Sequence, residues 1–281
     1  MPDAASVSLP GGVGDLATIT WPGDGATGLF LAHATGFCKE VWEPVVAHLR
    51  PYIAGSIVAW DGRAHGASSA GTPPFDWWDF GRDALEVVDS IDLGIRVGVG
   101  HSMGGAALAM AEILRPGTFD GLVLIEPIVF PPPFGRFDNM MAEVARKRRS
   151  FFASPEEAHS NFAGKAAFSA WDSRAMEAYI RGGLRVVDDA WLLSCSPHHE
   201  AEVYRGGSAH GAFDRLGEIG IPVLLLAGEH STTHDEDLVE ILLSQLVSGS
   251  AVIVPDAGHF LPMEKPATVA ELILDFTSRL T

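Results

Sequence analysis

The chain has 281 residues, 47% hydrophobic and 20% charged, which is enough for one large core; no run of about 18 apolar residues marks a membrane span. Its 19 basic and 36 acidic side chains leave a formal charge of −17, which disfavours polyanionic partners such as nucleic acid. Cys38 and Cys195 stand far apart, match neither a disulfide framework nor a zinc spacing, and read as free thiols.

Met1 to Gly14 has neither a positive n-region nor an apolar h-region, so no signal peptide is expected and the expected location is cytoplasmic. Ser6 to Leu9 and Leu16 to Trp21 read as two opening strands. Short apolar runs then recur at Leu29 to Leu31, Ile57 to Trp60, Val97 to Val99, Leu122 to Ile125, Val223 to Ala227 and Val252 to Val254. Between most of them lie helical patterns at Val41 to Arg50, Trp78 to Ile91, Met103 to Leu114, Asp235 to Val247 and Pro266 to Leu280. This alternation predicts a mostly parallel sheet with helices on both faces, whose ligand sites sit at the carboxyl ends of the strands.

The alternation fails between Pro127 and about Gly220. Pro131-Pro132-Pro133 opens this interval, and helical patterns follow near Asp138 to Phe152, Pro155 to Gly164 and Arg174 to Arg181, with no comparable strand run. It reads as a largely helical insertion serving as a lid, since long insertions in compact domains are usually functional.

The segment Gly100-His101-Ser102-Met103-Gly104-Gly105 sets a serine where a buried strand must turn into an alanine- and leucine-rich helix, the context of a nucleophile elbow. A serine hydroxyl needs a base, and His259, in the loop after the last strand, is the candidate. The backbone N–H of Met103, at a helix start just after the serine, is suited to stabilise an oxyanion.

These features resemble the α/β-hydrolase fold family over nearly the whole chain. His33-Ala34-Thr35-Gly36-Phe37 is similar to the family's loop after the third strand, and Asp61-Gly62-Arg63-Ala64-His65-Gly66 to its turn after the fourth. The resemblance implies an α/β fold with core residues 1–127 and 219–281 and a helical cap at residues 128–218. It also implies a second oxyanion N–H from Thr35. Ala34 replaces the common glycine there, and Phe37 is the alternative donor. The family's usual acid follows the seventh strand, where Gly228-Glu229-His230-Ser231 instead places a serine. Glu126, at the end of the sixth strand, is the favoured acid, because some dehalogenases and lactonases look similar there; Glu229, Asp235 and Asp237 are the alternatives.

The function so implied is a serine hydrolase that cleaves a carboxylic ester, lactone or thioester with an apolar portion, needing no cofactor and no metal. The same triad also serves carbon–carbon bond hydrolases, lyases and perhydrolases, and the fold serves as a non-catalytic small-molecule receptor. His198, His199, His230 and His234 match no metal spacing and read as surface histidines. Arg146-Lys147-Arg148-Arg149 reads as a solvated helix face. Trp77, Trp78, Phe130, Phe134, Phe151, Phe152, Phe162, Phe168 and Trp171 are candidates for an apolar pocket lining or for core packing.

Overall fold

The computed structural model describes residues 2–10, 13–69 and 71–280. Eight strands form one sheet: β1 (Asp3–Ser8), β2 (Asp15–Trp21), β3 (Thr27–Ala32), β4 (Ile57–Trp60), β5 (Ile95–His101), β6 (Gly121–Ile125), β10 (Val223–Gly228) and β11 (Gly249–Val254). Their spatial order is β1-β2-β4-β3-β5-β6-β10-β11. β2 runs antiparallel to both β1 and β4, and every pairing from β4 to β11 is parallel.

The central strands β3 to β6 and β10 are largely apolar runs because both faces of the sheet are covered there. Leu29, Leu31, Ile57, Ala59, Val97 and Val99 join one core, with α1 (Glu43–Leu49) and α9 (Pro266–Ser278). The alternate residues Phe30, Ala32, Val58, Trp60, Leu122 and Leu124 face a second core, with α2 (Trp77–Asp89), α3 (Met103–Leu114) and α8 (Glu236–Gln245). The parallel register aligns Ala32 with Gly100, His101 with Ile125, Ile125 with Leu226, and Gly228 with Val254. The loops beginning at His33, Ser102, Glu126, Glu229 and Pro255 therefore leave one edge of the sheet together.

Between β6 and β10 the chain forms α4 (Met140–Arg146), β7 (Phe151–Phe152), α5 (Pro155–Ala163), α6 (Ser173–Gly183), β8 (Leu184–Val187), β9 (Ala190–Leu193), α7 (Pro197–Gly206) and a 3-10 turn at Ala212–Glu218. Beside its helices the segment also holds three short strands, where the sequence shows no comparable strand run. β7, β9 and β8 form a small antiparallel sheet, and the helical pattern at Asp138 to Phe152 ends early to supply β7. No described helix is long and apolar enough to cross a membrane.

Candidate active site

Ser102 stands between β5 and α3 with φ 56° and ψ −114°, a conformation that non-glycine residues adopt at a penalty of about 1–3 kcal/mol. The surroundings hold it there. Its N–H donates to Ile125 O at 2.9 Å, and its carbonyl accepts from Ala106 N and Ile128 N, both at 3.1 Å. α3 can approach β3 this closely only because residue 104 is glycine, since a Cβ there would lie 2.2 Å from Ala32 O.

Glu126 is fully buried at the end of β6 and has a positive φ of 45°. Three donors solvate its carboxylate. Gly228 N–H reaches Oε1 at 2.9 Å, and Ser231 Oγ–H and His259 Nδ1–H reach Oε2 at 2.7 and 2.5 Å. Ser231 Oγ itself accepts from Thr233 N and His234 N, which turns its proton toward Glu126. The serine at the position of the family's usual acid thus donates to a carboxylate on the neighbouring strand. Glu229, Asp235 and Asp237 are all exposed; Glu229 accepts from Asp256 N and Asp235 caps α8 through Leu238 N.

The His259 loop is fixed from two sides. Buried His101 donates from Nε2 to His259 O at 2.8 Å, and Glu264 accepts from Gly258 N at 2.6 Å. Desolvation drives the pKa of His101 well below the ordinary range, so it stays a neutral donor. Sequence reasoning missed His101, although it is the variable residue of the elbow itself, and missed Ser231 as the partner of Glu126.

On the opposite rim, His33 donates from Nδ1 to Ala34 O at 2.7 Å and accepts from Gly62 N at Nε2, at 3.0 Å. Phe37 N–H is committed to Ala34 O at 3.2 Å. The N–H groups of Thr35 and Met103 have no acceptor among the described residues, which leaves Thr35 rather than Phe37 as the free donor in this loop. Asp61 accepts from Lys39 N, Lys39 Nζ and Ala67 N, and Arg63 pairs with Asp79 and Asp83, so this turn is a structural network.

Ser102, His259 and Thr35 line one cavity of about 190 Å³, closed from the inserted segment by Phe130, Met141 and Tyr204. Its lining contains no Asp, Glu, Lys or Arg. A larger cleft of about 490 Å³, lined by His159, Glu177 and Trp191, contains neither Ser102 nor His259.

Two readings from sequence need correction. His234 is buried rather than superficial; its Nε2 donates to Pro127 O at 2.9 Å, and desolvation pushes its pKa down to about 4. Arg148 is not solvated but pairs with Glu200 at 2.6 Å and Tyr179 Oη at 2.7 Å, while Arg146 and Arg149 pair with Asp138 and Glu157. Of the aromatic residues, Trp77 and Phe130 line the cavity. Phe152, Phe162, Phe168 and Trp171 pack with Phe37, Tyr179 and Phe260 instead, Trp78 and Phe134 pack against the second core, and Phe151 is exposed.

The family profile described as the alpha/beta hydrolase family matches residues 29–272. The chain belongs to this family. It is 26% identical over 219 residues to the abhydrolase domain-containing protein ACTT2 of Alternaria alternata, covering 65% of this chain and 83% of that protein. It is 25% identical over 267 residues to the carboxylesterase YbfK of Bacillus subtilis strain 168, covering 89% of this chain and 80% of that one. The solved peroxisomal alpha-beta-hydrolase Lpx1 of Saccharomyces cerevisiae superimposes with a TM-score of 0.84 at 19% identity, covering 100% of this chain and 88% of that one. Its relatives include esterases and lipases.

Proposed function

We propose that this alpha/beta hydrolase is a serine esterase that cleaves a compact, uncharged ester, lactone or thioester through an acyl-enzyme on Ser102. Ser102 Oγ attacks the carbonyl carbon, and His259 Nε2 takes its proton and returns it to the leaving group. Glu126 holds His259 with the proton on Nδ1, leaving Nε2 free to accept, and stabilises the imidazolium that forms. The N–H groups of Thr35 and Met103 bind the developing oxyanion, and water then cleaves the ester to Ser102. The inserted segment, residues 128–218, serves as the cap over this cavity.

The observation that carries this reading is the 2.5 Å bond between Glu126 and His259, on the cavity wall that also holds the strained Ser102. The similarity to a carboxylesterase supports ester cleavage. The cavity lining limits the substrate. With no Lys or Arg to pair an anion, and a volume of about 190 Å³, below the roughly 300–1,000 Å³ of drug-sized sites, it suits a small neutral acyl group. Turnover of short-chain p-nitrophenyl esters by wild type, lost in Ser102→Ala, and labelling of Ser102 by a fluorophosphonate are the expected results. A wild-type protein that neither turns over nor is labelled rules the reading out and leaves the receptor alternative.

A further inference from the structure

Behind the bond that joins His259 to Glu126, a third side chain turns a lone pair toward the same carboxylate oxygen. Pro127 O can only accept, so the 2.9 Å contact from His234 Nε2 puts the proton of that ring on Nε2. Nδ1 of the neutral ring is then an acceptor, and it lies 3.6 Å from Glu126 Oε2, another acceptor. Nothing satisfies it. His234 is 2% exposed, and its Nδ1 has no hydrogen-bond partner among the described residues. One ligand atom from each of Glu126, His234 and His259 lies within 4.8 Å of the others, and Nδ1 of each ring faces Glu126 Oε2, so a carboxylate and two imidazoles converge on one point.

We propose that Glu126, His234 and His259 form an inhibitory site for a borderline divalent cation of the Zn²⁺ class. Two imidazole nitrogens and one carboxylate oxygen are a donor set suited to such an ion, with the fourth position open. Ligand bonds of about 2.0–2.2 Å place tetrahedral donors about 3.3 Å apart. The Glu126–His234 pair at 3.6 Å already fits, and the Glu126–His259 pair must open from 2.5 Å as the ion takes the place of the shared proton. Entry is from the cavity, which His259 and the neighbouring Thr233 line.

The consequence is a change of tautomer. Coordination through Nδ1 requires the lone pair of that nitrogen, so the Nδ1 proton moves through solvent to Nε2. The imidazole stays neutral, no proton is released overall and nothing is oxidised. The ring is now protonated on the nitrogen that must accept from Ser102, and it no longer acts as the base. This effect on turnover rests on the proposed triad, whereas binding of the ion does not.

The test titrates the full chain with ZnCl₂ by calorimetry and with CoCl₂ by visible absorption, alongside ester turnover. Wild type is expected to bind one ion in a tetrahedral Co²⁺ environment, with turnover falling as the site fills and returning with EDTA. His234→Gln keeps a donor for Pro127 O but lacks the imidazole lone pair. Because His234 is a direct ligand, the variant's affinity is expected to fall by more than the roughly 10–100-fold typical of losing an outer-shell partner, while His230→Ala, in the exposed Glu229–His230–Asp256 group, binds like wild type. Absence of a stoichiometric tetrahedral Co²⁺ spectrum in wild type overturns the proposal without any variant having to fold. So does binding that survives His234→Gln or is lost in His230→Ala. Binding at this site with undiminished turnover overturns the inhibition, and binding by a protein that hydrolyses nothing overturns the esterase reading alone.

Discussion

In the proposed triad, Ser231 and Glu126 share the part that a single aspartate plays in most of this family. Ser231 Oγ lies 2.7 Å from Glu126 Oε2, so the position after β10 still reaches the carboxylate that holds His259, but as a donor. The departure was legible in the sequence because a serine in a Gly-x-x-Ser spacing and a carboxylate at the end of an apolar strand are both visible without coordinates. The buried histidines were not. His101 and His234 sit in loop or strand-end positions whose exposure depends on neighbouring strands, and spacing does not encode that. Glu126→Gln places an amide against His259 Nδ1 and favours the wrong tautomer, so kcat is expected to fall by about 10⁴-fold with the melting midpoint little changed. Glu229→Gln and Asp235→Asn should remain close to wild type. Adding Ser231→Asp to Glu126→Gln returns a carboxylate to the vicinity of His259 and is expected to recover part of the loss. Steady-state kinetics on the same short-chain ester decide this, and full activity in Glu126→Gln refutes the assignment.

The inserted segment was the least legible part of the chain. The β8–β9 hairpin turns through Asp188 and Asp189, with φ of 48° and 62°, a two-residue turn of the I′ kind built without the Asn-Gly or Asp-Gly that announces it. α7 had a readable start, since Ser196 caps it and Pro197 opens it, but its weakly apolar sequence concealed the rest. Coordinates were also needed to see that this segment is fastened to the core. Arg148 joins Glu200 and Tyr179 above Gly36, whose φ is +82° and where a Cβ would lie 2.7 Å from Glu200 Oε1. Phe37 meets Trp171, Tyr179 and Phe260 edge to face, so the residue after Gly36 is tied to both the segment and the His259 loop. Arg148→Met leaves the Glu200 carboxylate buried and unpaired, and stability is expected to fall by about 3–5 kcal/mol. Arg148→Met with Glu200→Leu should restore most of that stability in a denaturant melt. If the network also positions Thr35, kcat falls in both variants while KM moves little; a change confined to KM denies it that role.

The sheet itself was nearly fully legible. Its central strands are buried on both faces and so appear as apolar runs, and amphipathic helices such as α2 keep the 3.6-residue period. What the fold adds is a response to acid. His65, His210 and His234 are enclosed by the finished structure, and desolvation lowers their pKa values to about 3, 4 and 4 from 6.5. His210 shows why the neutral form is required. Its Nε2–H donates to Ile128 O at 2.9 Å, its Nδ1 accepts from Ala212 N at 3.1 Å, and its ring stacks on Trp77, so a second proton would break the bond from Ala212. Between pH 6.5 and 4 the unfolded chain binds protons at these sites that the folded chain does not, so stability falls as pH falls through this window. Each such histidine contributes up to about 1.4 kcal/mol per pH unit once its unfolded counterpart is charged. Asp61, Asp83 and Glu200 oppose this, because burial raises their pKa values and favours folding as acid is added, but their contribution begins nearer the carboxylate range. The melting midpoint is therefore expected to decline between pH 7 and pH 5 before the carboxylates respond. His210→Gln, which keeps a donor for Ile128 O but cannot charge, should melt lower at pH 7 and lose less on going to pH 5. Equal slopes for wild type and His210→Gln would show that His210 is not among the groups that set the acid limit.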